Sequence, residues 1–128
     1  TNLDYNFTLW KKNISMLNSL SKKNGSKFLN FLQPTMGLDY VKINWEEENR
    51  DFKIYRNFIT TQTSIDTNYI YKKFREICLN LDYCIDISNI AAPGAKENIF
   101  SDSRHHNEKG NLIIAKEIYN ILKAKMSN

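Results

Sequence analysis

The chain has 128 residues, with 18 Lys and Arg against 14 Asp and Glu, a formal net charge of +4, 41% hydrophobic residues and 25% charged residues. That length suits one small domain, and that balance excludes a collagen-like, low-complexity or largely disordered chain, because there is enough apolar side chain to build a core. No apolar run approaches the roughly 18 residues that a membrane-crossing helix needs.

In chain order, the first predicted element is a helix over 5–24. Phe7, Trp10, Ile14 and Leu17 recur at helical spacing on one face, with Asp4 as N-cap and Asn24-Gly25 as the stop. Residues 27–32 are short, apolar and bounded by Gly25 and Pro34, which predicts a strand. A loop follows over 33–44. Residues 46–61 carry a weaker helical pattern in Phe52, Tyr55, Phe58 and Ile59. A stronger one over 64–80 has Ile65, Tyr69, Phe74, Ile77, Cys78 and Leu81 on its apolar face and Ser64 or Asp66 near its cap. Residues 83–87 read as a second strand and 89–101 as a loop. The last helix is expected over 108–125, with Ile113, Ile114, Ile118, Ile121 and Leu122 inward and Lys116, Lys123 and Lys125 toward its negative end. Strands separated by helices imply a parallel sheet covered by helices.

Two strands alone do not make a satisfactory parallel sheet, because its faces and edges need cover. The expectation is therefore a single partial α/β domain over 1–128, the C-terminal portion of a larger one, lacking N-terminal strands. Opening on Thr1 rather than Met is in keeping with a processed or cut product. No apolar core follows a basic end there, so nothing reads as a signal peptide.

The basic charge is a weak pointer to nucleic acid. The lysines come in doublets among acids, with no basic stripe carrying aromatics, so no nucleic-acid partner is expected. Cys78 and Cys84 match no zinc or thioredoxin-like spacing and read as small buried residues. A bridge between them stays open, and with it the compartment.

Both histidines fall between the last loop and the last helix. Asp102 and His105 stand three apart, so a turn brings them to one side. A carboxylate bonded to one imidazole nitrogen fixes the tautomer and leaves the other nitrogen as a general base. The plainer alternative is that Asp102 caps the last helix and His105 is a surface residue. Adjacent His105 and His106 diverge and lack a fourth partner by spacing, so no metal is expected. Glu46, Glu47 and Glu48 suit a helix start better than a metal site, and Trp10 suits a core better than a sugar platform.

The stretch from Ile99 to Ala115 resembles the last block of the SGNH (GDSL-type) hydrolases, which reads Asp-x-x-His-x-Asn-x-x-Gly before an apolar helix. Asp102, His105, Asn107, Gly110 and Ala115 occupy the pattern's positions. The run Phe28-Leu29-Asn30-Phe31-Leu32-Gln33-Pro34 is similar to a strand and its Gln-Pro exit in some members, and Tyr83 to Ser88 to the last strand. The resemblance implies a three-layer flavodoxin-like fold with about five parallel strands. It implies serine ester hydrolysis without metal or cofactor, with His105 as base, Asp102 as its orienting acid, and a small-molecule or carbohydrate ester as substrate. Arg104, His106 and Gln33 would border the cleft, and Asn107 and Gly110 would shape the helix start. The family's Gly-Asp-Ser and Gly-x-Asn-Asp blocks are not in these 128 residues. A base without a nucleophile within about 3 Å cannot begin acyl transfer, and Ser101 and Ser103 sit on no strand-to-helix elbow. The chain by itself is therefore expected to be inactive. The alternative is a non-catalytic interaction module, or half-domain, whose sheet is completed by a partner chain or an upstream segment.

Overall fold

A computed structural model of the chain describes residues 3–35, 67–90, 99–101 and 105–126. The elements are α1 (Leu3–Lys23), β1 (Asn30–Leu32), α2 (Thr67–Cys78), β2 (Cys84–Asp86) and α3 (Glu108–Met126). The chain is thus mixed α/β, with three helices and a two-stranded parallel sheet among the described residues. The helix expected over 46–61 lies outside them. Two units form. Of the described residues, the first takes 3–32 and 69–86, and the second takes 33–35, 67–68, 87–90, 99–101 and 105–126.

In the first unit, α1 ends where its sequence predicts. Gly25 takes φ +69°, a conformation that costs an L side chain, and this turns the chain back on the helix. The Ser26 amide then donates to the Ser21 carbonyl at 2.9 Å and the Gly25 amide to that of Lys22 at 3.1 Å, a Schellman closure that occupies two end carbonyls. The start differs from expectation. Asp4 lies inside the first turn, and its carbonyl accepts the Thr8 hydroxyl at 2.9 Å. The buried line is Phe7, Ile14 and Asn18, with Trp10 half-buried beside it. Leu17, expected inward, is exposed, because one residue is a 100° step and takes it away from Asn18.

β1 and β2 pair in parallel, Asn30 with Cys84, Phe31 with Ile85 and Leu32 with Asp86. Both are shorter than the apolar runs that predicted them. Their connection includes α2, as a parallel pair requires. Ile14, Leu32, Cys78 and Cys84 form the buried centre, and Trp10, Phe28, Tyr71, Phe74, Leu81 and Tyr83 pack round it. Phe74 of α2 meets Phe7 at 5.2 Å and Trp10 at 4.7 Å between ring centroids, both edge to face, so Trp10 is a packing residue. Tyr69, expected on the inner face, is exposed but keeps an edge contact with Phe7 at 6.4 Å. Arg75 Nε donates to Asp86 Oδ2 at 2.6 Å and ties α2 to β2. Cys78 and Cys84 are joined in a disulfide with their Cα atoms 4.9 Å apart, which settles the question their spacing left open.

In the second unit, Pro34, Ile87, Ser88, Ile99, Phe100 and Gly110 are buried. α3 turns Gly110, Ile114, Glu117, Ile118 and Ile121 inward to differing degrees. Ile113 and Leu122, expected in the core, are exposed. They lie to either side of the Ile114–Ile118–Ile121 line, and one helix face is too narrow to hold all five. No helix among the described residues is long and apolar enough to cross a membrane.

Candidate functional site

The entry to α3 is assembled round a single backbone group. The Ile99 carbonyl accepts the Asn107 amide at 2.9 Å, and a Cβ placed on Gly110 would collide with that carbonyl and lie 3.1 Å from His106 Cβ. Only a residue without a side chain lets the first turn of α3 sit so close to the 99–101 segment. Asn107 is the N-cap. Its Oδ1 accepts the Gly110 amide at 2.9 Å, and its carbonyl accepts the Asn111 amide at 2.9 Å, the first bond of the helix. Glu108 in the first turn adds negative charge at the positive helix end. The cap of α3 is therefore Asn107.

Before that cap, the chain makes a narrow antiparallel contact between Phe100 and His106. The Ser101 amide donates to the His105 carbonyl at 2.9 Å, and the Ser101 hydroxyl donates to the same oxygen at 3.2 Å. The hydroxyl is thus directed to the His105 backbone rather than to its ring. His105 itself is exposed.

His106 faces the other way. Its ring lies against Phe100, with centroids 5.0 Å apart and planes at 32°. Its Nε2 is 3.2 Å from the Pro34 carbonyl oxygen. A carbonyl can only accept, so Nε2 carries the hydrogen and, in the neutral ring, Nδ1 is bare. Burial pushes the imidazole below its ordinary pKa; the Pro34 carbonyl works against that shift, and neighbouring His105 adds to it. His106 is consequently the neutral, anchored member of the pair, and His105 the exposed one.

Of the residues expected at the site, the structure brings together the exposed His105, the half-buried His106 and, through Pro34, the segment that carries Gln33. Gln33 is exposed and follows the last residue of β1. Asp102 and Arg104 lie outside the described residues, as do Ser103 and Glu46 to Glu48. Among the described residues no three His, Cys, Asp or Glu side chains converge as a metal site would need. The His106–Pro34 bond escapes sequence reasoning, since it joins residues 72 positions apart. The one available signal was Pro34 two residues past the end of the predicted strand.

Comparison of the chain with protein-family models, with curated proteins and with solved structures finds no match.

Proposed function

We propose that this chain is the C-terminal portion of an SGNH-type serine ester hydrolase domain, in which His105 is the general base and Asp102 holds it. The observation that carries the proposal is the block Asp102-x-x-His105-x-Asn107-x-x-Gly110 together with the separate tasks its members perform. Asn107 and Gly110 are spent on starting α3 against Ile99, and His106 is anchored to Pro34, while the side chain of His105 is exposed. A parallel strand pair with a helix in its connection also agrees with a larger three-layer, flavodoxin-like sheet.

In the complete domain a serine from a Gly-Asp-Ser block attacks the ester carbonyl and gives its proton to His105. The tetrahedral intermediate collapses, and His105 returns the proton to the departing alcohol. Water then repeats the sequence on the acyl-enzyme, with His105 again the base. Asp102 keeps the ring in the right tautomer. Arg104 and Gln33 border the ester, whose class is a small-molecule or carbohydrate ester such as a sugar O-acetyl group.

The test joins the chain to a segment bearing Gly-Asp-Ser and Gly-x-Asn-Asp blocks and measures p-nitrophenyl acetate hydrolysis and fluorophosphonate labelling of the serine. The expected result is turnover that His105→Ala lowers about a thousandfold or more. His106→Gln should retain most of it. Near-full turnover in the His105 variant removes the assignment.

A second reading is favoured by the two-strand sheet among the described residues, whose outer edges offer backbone groups to further strands. In it the chain is a non-catalytic half-domain completed by a partner. It predicts cooperative folding with that partner and no serine labelling in the assembled pair.

A further inference from the structure

α1 turns a second face outward, away from the unit it helps to build. Leu9, Lys12, Met16, Leu20 and Lys23 fall within about 80° of helix arc, directly opposite the buried Phe7, Ile14 and Asn18. Leu9 is 40% exposed, Met16 and Leu20 are 60% exposed, and both lysines are exposed. A shallow groove of about 290 Å³ follows this crest, lined by Lys12, Ser15, Met16, Ser19, Leu20 and Lys23. Its two hydroxyls are already engaged, Ser15 with the Tyr83 hydroxyl at 2.7 Å and Ser19 with the Ser15 carbonyl at 3.0 Å. The groove therefore offers aliphatic surface between two ammonium groups.

Charge specifies what can meet that surface. Residues 1–38 carry five lysines against the single acid Asp4, a net +4, while the other 90 residues carry 13 basic side chains against 13 acidic ones. The whole net charge of the chain thus lies in its first 38 residues. Among the described residues, the ammonium groups of Lys11, Lys12, Lys22 and Lys23 have no ion-pair or hydrogen-bond partner. Neighbours in a helix stand 100° apart, so each doublet places one lysine on the crest and one on its flank. A second copy would bring the same uncompensated charge. A nucleic acid would be met by aromatic stacking groups, and the crest carries the aliphatic Leu9, Met16 and Leu20 instead. An acidic protein helix would have to desolvate the Lys12 and Lys23 ammoniums within the seam, at a cost. A bilayer avoids that cost, because lysine stems lie along the apolar boundary while the charged heads stay hydrated among the headgroups.

We infer that the outer face of α1 seats the chain on an anionic lipid bilayer. Leu9, Met16 and Leu20 enter the boundary between headgroups and acyl chains, and Lys12 and Lys23, with Lys11 and Lys22 beside them, pair with lipid phosphates and carboxylates. Mobile lipids bring an anion to each lysine without a fixed register. The contact lies on the surface and does not span it. It is independent of the hydrolase proposal, because it uses no residue of the 99–110 segment.

The experiment is sedimentation of the full chain with sucrose-loaded vesicles, of phosphatidylcholine alone or with roughly one-third phosphatidylserine. The anionic vesicles should bind at least tenfold more tightly than the neutral ones, and raising salt from about 0.05 M to about 0.5 M should weaken that binding at least tenfold. Met16→Glu with Leu20→Glu should weaken it at least tenfold, as should Lys12→Glu with Lys23→Glu, each with the circular dichroism of the chain unchanged. Lys72→Glu with Lys116→Glu makes the same change in net charge away from α1 and should leave binding within about threefold. The lipid and salt comparisons use the wild-type chain and hold even where a variant perturbs folding. Absence of binding overturns the inference, as does equal binding to the two vesicles or indifference to salt. So does binding that survives both α1 variants. An equal loss in the Lys72 and Lys116 variant also overturns it, by assigning the binding to net charge alone. So does failure to bind vesicles beside α1-dependent binding of a Glu-flanked synthetic helix or of single-stranded DNA.

Discussion

A methyl group at Gly110 would fall on the Ile99 carbonyl, an oxygen that already accepts the Asn107 amide. Backbone cannot step aside as a flexible side chain can. Gly110→Ala is therefore expected to lower stability by about 1–3 kcal/mol, the usual range for overpacking, and thermal unfolding should show a clear fall in Tm. An unchanged Tm would mean that α3 does not sit against Ile99 in this way. His106 supplies a prediction in pH. Burial lowers its pKa in the folded chain, so between that value and the ordinary 6.5 the unfolded chain binds more protons. Stability then rises with pH through this window, is fully present above about 6.5, and is lost as pH falls toward the folded value. Urea unfolding at pH 7.5 and 5.5 should show a loss on acidification that is smaller in His106→Gln. Equal losses in the two proteins would assign the pH effect elsewhere. The Asn107 and Gly110 positions were visible in the sequence through their spacing from His105. Which histidine would be anchored was not, because the partner is the carbonyl of Pro34 and a carbonyl leaves no mark in the residue alphabet.

Among the elements, α2 and β2 are tied to each other most firmly. The disulfide joins the last residue of α2 to the first of β2 across a sequence separation of 6, and Arg75 reaches back from α2 to Asp86 at the other end of the strand. Closing so short a loop restricts the unfolded chain by an amount worth about 2 kcal/mol. Reduction with a phosphine should lower the urea midpoint accordingly, and the Cys78→Ser, Cys84→Ser pair should show the lower midpoint with or without reductant. A wild-type midpoint indifferent to reductant would show that the bridge adds nothing. Helix existence was legible from periodicity for α1, α2 and α3, and the stop of α1 from Asn24-Gly25. Faces were less so. Leu17, Ile113 and Leu122 are as apolar as their buried neighbours, and only the position of the next element decides which side of a helix is covered.

For the whole molecule, the two proposed readings differ over what lies beside the two-stranded sheet of the described residues. Parallel strands are stable when both faces and both neighbours are supplied, and β1 and β2 are three residues each. If the hydrolase proposal holds, the chain by itself should hydrolyse p-nitrophenyl acetate no faster than free imidazole at the same concentration, since His105 has no elbow serine to activate. Turnover well above imidazole would instead point to a nucleophile within these 128 residues and would withdraw the divided-site proposal.

The sequence by itself determined the order of helix, strand, helix, strand and helix among the described residues, the Gly25 turn, and the start of α3 at Glu108. These depend on interactions within a few residues, such as caps, φ preference and the period of apolar positions. The tertiary structure decided the register of Asn30 with Cys84, the union of Cys78 with Cys84, the packing of Trp10 on Phe74, and the division of labour between His105 and His106. Each of those depends on residues remote in the chain, or on competition between near-equal side chains for one surface. Local propensity carries no information about such contests; the geometry of packing resolves them.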